Sequence, residues 1–345
     1  MANKNLEDEI SARAKTTNNV LKFGIEYIDD ALRGIYPDDL VLVGAPSGMG
    51  KTQLCCNIAK ANLKDGRKVH YIALEASEFE IERRLKFQIV MSHYYGDPNR
   101  PNLGKISYPD WLLGKYLFEL SDYEVSGAKE FEQKYQNLYL YYKQDKFGIQ
   151  ELIESVIYAS KETDLIIIDH VHYFDLEDDN ENRGMKEIAK TVRSLCIEEK
   201  KPIVLVAHLR KRDKNNEELV AGLDEFHGSS DLTKIATKVI TFSGGPPDKD
   251  GRYETYFRIP KSRIDGVVSR FSGKELFDPK TGGYVSGVYD IGWAAQQRKS
   301  GFQCIEDKFY PDWGRDSLHN QARNRSSSGH SVAQRSESFS LPYKD

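Results

Sequence analysis

The stretch Leu40-Val-Leu-Val-Gly-Ala-Pro-Ser-Gly-Met-Gly-Lys-Thr52 constrains the chain more than any other. Leu40 to Val43 is a short apolar run that predicts a buried strand. Glycines and a proline then break the chain, and Lys51 and Thr52 open a helix running through Gln53-Leu-Cys-Cys-Asn-Ile-Ala59. Strand, glycine-rich loop and helix in that order form a phosphate-binding loop. Its nucleotide-binding candidates are Ala45, Pro46, Ser47, Gly48, Met49, Gly50, Lys51, Thr52 and Gln53. Gly48 and Gly50 let the backbone curl so that successive N–H groups point at phosphate oxygens, and the helix N-terminus adds its positive dipole end. Lys51 reaches the β and γ phosphates, and the Thr52 hydroxyl is offered to Mg²⁺. Ala45 stands where the motif usually has glycine and is nearly as small.

Other strand ends carry the chemistry that such a loop needs. Val69 to Leu74 predicts a second strand ending at Glu75. In a parallel sheet ligands gather at the carboxyl ends of the strands, where this carboxylate can orient or deprotonate the water attacking a γ-phosphate. Leu165-Ile-Ile-Ile-Asp169 is an apolar run ending in aspartate, as in a buried parallel strand whose acid holds the Mg²⁺ water shell. Thr52 and Asp169 are therefore the metal candidates. Pro202 to Ala207 predicts a further strand, and His208 at its end can sense the γ-phosphate. The loop that follows carries Arg210, Lys211, Arg212 and Lys214. A charge run is usually solvent-facing, but one leaving the nucleotide end of a core strand favours contact with a phosphate backbone.

The 345 residues allow one large or two ordinary domains, and 39% apolar residues suffice for a substantial core. A net charge of −4 excludes a global basic field, so any nucleic-acid contact must come from local loops or from assembly. The four cysteines show no metal-ligand spacing and read as buried thiols in a reducing compartment. With no signal-peptide pattern and no bilayer-length apolar run, the expectation is a cytoplasmic protein with no membrane partner.

Residues 1–19 are polar and are expected to form an arm or linker. Residues 20–295 read as the catalytic domain, with an insertion at 92–146 that is rich in tyrosine and broken by Pro98, Pro101 and Pro109. Within it the Tyr135 and Leu138 to Tyr142 cluster could stack on bases. Packing of an inserted layer on the core, with Leu138 to Tyr142 as a strand, is the favoured reading. Residues 296–345 form a C-terminal extension whose Ser/Arg/Gln-rich part, beyond about 314, lacks the apolar residues to build a core.

The order of these pieces resembles the ring-shaped replicative helicases with a RecA-like core. The phage primase-helicases and the mitochondrial Twinkle helicase are most alike, then the bacterial DnaB-like helicases. The resemblance covers roughly residues 20–290. It rests on Ala45-Pro-Ser-Gly-Met-Gly-Lys-Thr52, Leu74-Glu75-Ala-Ser77, Ile168-Asp169-His170, Ala207-His208-Leu-Arg210, Phe226-His-Gly-Ser-Ser230 and Lys261-Ser-Arg263. It implies a RecA-like α/β P-loop NTPase core, with a mostly parallel central sheet flanked by helices and antiparallel strands at the C-terminal edge.

The resemblance further implies ATP and Mg²⁺ as ligands, Glu75 as catalytic base, Asp169 as the metal-holding acid and His208 as γ-phosphate sensor, where DnaB-like members carry glutamine. Lys261 and Arg263 would reach the neighbouring subunit's ATP. The loop after His208 would hold single-stranded DNA in the central channel of a homohexamer moving 5'–3'. Replication proteins such as primase or polymerase are the implied further partners. No primase or zinc-binding segment precedes the core, so no primase activity is expected. Two other classes share these motifs. One is a RecA-like strand-exchange protein forming filaments on DNA. The other is a regulatory or loading ATPase acting on a protein partner.

Overall fold

The structure is a computed structural model. It describes residues 8–11, 13–14, 19–77, 79–104, 106–143, 147–174, 181–209, 220–226, 230–247, 253–264, 272–278 and 283–285. The basic loop at 210–219, the C-terminal extension and most of the N-terminal arm lie outside the described residues.

The P-loop strand β1 (Leu40–Ala45) lies inside a nine-stranded sheet. The other strands are β2 (Val69–Ala73), β3 (Leu138–Tyr142), β4 (Leu165–Asp169), β5 (Ile203–His208), β6 (Lys238–Pro247), β7 (Tyr253–Ser262), β8 (Ser272–Asp278) and β9 (Gly283–Val285). Their order is β3-β2-β4-β5-β1-β6-β7-β8-β9. The strands from β3 to β6 of that order are parallel neighbours. β7, β8 and β9 add on antiparallel at the edge.

The period-two geometry of a strand divides each apolar run between two cores. Val41, Val43, Ile167, Val204 and Val206 join one buried cluster; Leu40, Leu42, Ile166, Ile168 and Leu205 join the other. Helices cover both faces, and for that reason the strands are apolar throughout rather than alternating. On the first face lie α1 (Glu26–Leu32) and α2 (Lys51–Lys64), joined by Ile28, Leu32, Leu54 and Ile58. The edge of that cluster is closed by α3 (Glu80–Gly96) through Ile81, Leu85 and Ile89. Beyond α3 come the insertion helices α4 (Tyr108–Leu112) and α5 (Ser121–Lys134). The second face is covered by α6 (Ile149–Ser160), α7 (Glu181–Glu199) and the short α8 (Ser230–Ile235). Ile167 is fully buried in the first cluster. Ile167→Ala is expected to cost about 2–5 kcal/mol of stability, read as a lower urea midpoint.

The insertion carries the strand that the sequence predicts, Leu138 to Tyr142. This β3 pairs in parallel with β2, from Val69 beside Leu138 to Ala73 beside Tyr142, and forms the edge of the central sheet. The remainder builds a small core of its own. There Phe87, Met91 and Tyr94 of α3 meet Ile106 and Leu120. Edge-to-face rings hold it, with Phe87 5.4 Å from Tyr108 and Tyr94 5.4 Å from Tyr123. α3 runs on to Gly96, and this aromatic layer buries its C-terminal half.

Candidate active site

The loop between β1 and α2 adopts the backbone that the glycines predict. Gly48 and Gly50 have φ of 77° and 86°, values that strain any residue with a Cβ. Leu54 N–H donates to Gly50 O at 2.9 Å and closes the first turn of α2. The Lys51 side chain folds over the loop, its Nζ donating to Ala45 O and Pro46 O at 3.1 Å each. Burial lowers the Lys51 pKa, and the negative charges of Glu75 and Asp169 oppose that shift.

A cavity of 430 Å³ opens at this end of the sheet. Ser47, Gly48, Gly50, Thr52 and Gln53 line it together with Lys51, and Glu75 and His208 close the far side. The segments after β2, β4 and β5 therefore converge on the loop after β1, as the parallel register requires. Ala73 lies beside Asp169, and Ala45 beside His208. Asp169 is buried beneath the cavity, where its Oδ2 accepts a hydrogen bond from Tyr71 Oη at 2.7 Å.

Sequence reasoning quotes His170 without giving it a role, yet it joins the two acids. Its Nε2 lies 2.7 Å from Glu75 Oε2, and its Nδ1 lies 2.8 Å from Asp169 Oδ1. The first contact sets the ring edge against the Glu75 carboxylate. The second is close but not aligned as a hydrogen bond, so Asp169 Oδ1 stays buried without one. His170 has φ 79° and ψ 88°, a conformation that costs a non-glycine residue about 1–3 kcal/mol and clusters at functional sites. The His208 ring is 4.9 Å from His170 and 5.3 Å from His172.

Two further residues reach the cavity that the sequence does not single out, Glu80 and Arg84 of α3. The Arg84 guanidinium donates twice to Glu80 Oε1, at 3.0 and 2.8 Å, and sits 5.2 Å over the Tyr108 ring of the insertion. A helical i, i+4 pair is common enough that nothing local in the sequence marks it.

Burial above all, then the charges of Lys51, His170 and His172, pushes the His208 pKa down to about 4. The ring is therefore neutral at physiological pH. Unfolding restores a value near 6.5, so the unfolded chain binds the extra proton between those values. Stability on this account is intact above about 6.5 and falls as the pH drops toward 4. His208→Gln is expected to lose less stability over that window, read as urea midpoints at a series of pH values.

Lys261 and Arg263 are not at the cavity. Lys261 pairs with Val239 near the start of β6, where Lys238 lies beside Val41 of β1. Its Nζ donates to Thr233 O and Lys234 O at 2.7 Å. Arg263 follows at the strand's end, its side chain exposed and its N–H on Thr237 O at 2.8 Å. Both thus lie toward the opposite end of β1 from Ala45, about 13 Å of strand away. Arg210, Lys211, Arg212 and Lys214 lie outside the described residues. Leu209 bridges to Phe226, and a Cβ at Gly44 would meet the Phe226 ring at 2.5 Å.

Comparison with known proteins agrees with this architecture. A solved ATPase domain superposes with a TM-score of 0.65 at 14% identity, covering 82% of this chain and 99% of that one. A DnaB-like replicative helicase, solved in a study of its interactions with primase, gives the same score and identity over 82% of this chain and 67% of its own. In sequence, the chain is 21% identical over 199 residues to a probable replicative DNA helicase of Trieres chinensis, covering 56% of this chain and 41% of that protein. It is 23% identical over 248 residues to a probable plasmid replicative DNA helicase of Chlamydia muridarum (strain MoPn / Nigg), covering 70% and 49%. The chain thus spans less than half the length of these curated relatives. The family model for the DnaB-like helicase C-terminal domain matches residues 21–244, which run from the bridge before α1 into β6. The chain belongs to the DnaB-like helicase C-terminal domain family.

Proposed function

We propose that this chain is the motor of an ATP-driven ring helicase that translocates on single-stranded DNA and unwinds duplex DNA during replication. One observation carries most of the weight. Lys51, Thr52, Glu75 and His208 line one cavity, while Lys261 and Arg263 stand at the other end of the sheet. A site needing both sets requires a second copy of the chain, which a hexameric ring supplies at every interface.

Each side chain has a task within this reading. The loop N–H groups and Lys51 hold the phosphates of ATP, and Lys51 turns from the loop carbonyls toward the β and γ oxygens. Glu75 takes a proton from the attacking water, and the His170 ring against the carboxylate fixes its orientation. Neutral His208 meets a γ-phosphate oxygen as a hydrogen-bond partner rather than as a charge. The buried Asp169 Oδ1, which has no hydrogen bond of its own, fits a cation's water shell. Mg²⁺ held by Thr52 and, through water, by Asp169 would neutralise phosphate charge. Arg263 of a neighbouring copy would offer two donors to the transferring phosphoryl group, and Lys261 a second cation. The Glu80–Arg84 pair places a further cation at the cavity wall.

Arg210, Lys211, Arg212 and Lys214 are proposed to hold single-stranded DNA, because their segment follows β5 directly after His208, which lines the ATP cavity. Neutralising the first three together is expected to weaken binding. It should also flatten the slope of log affinity against log salt by about two units, at roughly 0.7 per phosphate contact. Affinities across a salt series check this, and an unchanged slope would place the DNA elsewhere.

The proposed setting is the cytoplasm of a bacterium or infected host cell, with replication proteins such as primase or polymerase as further partners. Among the described residues no helix is long and apolar enough to cross a membrane. A filament-forming recombinase and a protein-directed loading ATPase remain the competing readings, and the family match does not favour either. ATP turnover with and without single-stranded DNA tests the proposal. The rate is expected to rise severalfold with DNA; a rate that ignores DNA would favour the protein-directed ATPase.

A further inference from the structure

We propose that Glu75, His170 and His208 form a binding site for one transition-metal ion of the Zn²⁺ class, distinct from the Mg²⁺ position, and that its occupation stops ATP hydrolysis. One donor atom from each residue lies within 4.8 Å of the others. Glu75 Oε2 and His170 Nε2 are already 2.7 Å apart, and the two imidazole rings are 4.9 Å apart with planes tilted by 37°. In a tetrahedral site with ligand bonds near 2.05 Å, donors stand about 3.4 Å apart. The approach needed is thus a side-chain adjustment and not a backbone movement.

The ligand set selects the metal. Two imidazoles and one carboxylate suit Zn²⁺ and its neighbours, whereas Mg²⁺ takes oxygen ligands and keeps its waters. Two imidazoles and a glutamate, with a fourth position open to the cavity, is also the set of zinc sites that keep a labile position. Support behind the ligands is present as well. A metal-bound histidine is oriented by a carboxylate on its other ring nitrogen, and here Asp169 Oδ1 lies 2.8 Å from His170 Nδ1, within reach of a hydrogen bond once the ring turns into line. Asp169 is in turn anchored by Tyr71 Oη through its other oxygen. The His170 side chain is only 4% exposed, so this arrangement is held by packing. The consequence follows from which groups the ion occupies. Glu75, once a ligand, no longer accepts a proton from water, and His208 no longer meets a phosphate. Lys51 and the P-loop amides stay free, so nucleotide binding persists while turnover stops.

The test uses the full-length protein stripped with EDTA and titrated with Co²⁺, then with Zn²⁺. The expected result is one Co²⁺ per chain with the visible absorption of a four-coordinate ion, displaced by Zn²⁺. His208→Gln and His170→Asn should each weaken binding about tenfold or more. Asparagine tolerates the positive φ at position 170, and glutamine at 208 keeps a polar side chain, so circular dichroism should be unchanged. A second readout is turnover in excess Mg²⁺. Zn²⁺ at micromolar concentration should block the wild type, reversibly with EDTA. No saturable binding, or equal affinity in the variants, would overturn the site. Metal binding requires neither DNA nor hydrolysis, so its outcome is independent of the helicase reading.

Discussion

Glu75→Gln is expected to bind ATP as the wild type does and to hydrolyse it about a hundred- to ten-thousandfold more slowly. The substitution is nearly isosteric. The amide can still meet His170 Nε2, which lies 2.7 Å from Glu75 Oε2, so the loop and the strained His170 backbone keep their support. Only the capacity to take a proton from water disappears. Lys51→Ala should fail earlier, in binding, because the phosphates lose the ammonium that the loop carries over Ala45 and Pro46. Equilibrium binding of a fluorescent nucleotide beside single-turnover hydrolysis separates the two. A normal hydrolysis rate in Glu75→Gln would move the base elsewhere, and His170 would be the next residue to test.

Arg263→Ala should bind ATP and lose about a thousandfold or more in turnover. Its guanidinium is exposed at the end of β7 and cannot serve its own chain's cavity from there. A guanidinium gives phosphoryl oxygens two donors in a fixed plane, which lysine does not, so Arg263→Lys should rescue little. Complementation gives the sharper form of the experiment. Arg263→Ala and Lys51→Ala are defective in opposite halves of the shared site. When the two are co-assembled, some interfaces pair an intact Lys51 with an intact Arg263, and partial turnover should return. Labelled chains followed by energy transfer establish that subunits exchange. Full hydrolysis by isolated Arg263→Ala monomers would contradict a shared site.

The parts of the site that are legible in sequence lie where an apolar run meets a polar side chain. Glu75, Asp169 and His208 each follow a run of buried β-residues, and parallel strands deliver their carboxyl ends to one place. The P-loop is readable for the same reason, because Gly48 and Gly50 mark a backbone that few other residues adopt. His170 is not readable, since its role depends on Glu75, which is 95 positions earlier, approaching to 2.7 Å. Arg84 and Tyr108 escape notice similarly: the cation over the ring exists only once the insertion folds back on α3. The insertion's core is built from rings spaced by prolines and turns, so no helical or strand period announces it. Lys261 and Arg263 carry no local signal of their task, because the partner they would serve is another chain.

Strand displacement on a forked duplex tests the central claim most directly. The wild-type chain with ATP and Mg²⁺ should release the displaced strand at a rate that follows ATP turnover, and Glu75→Gln should bind the fork and release nothing. ATP turnover without any displacement, and with no response to single-stranded DNA, would contradict the account.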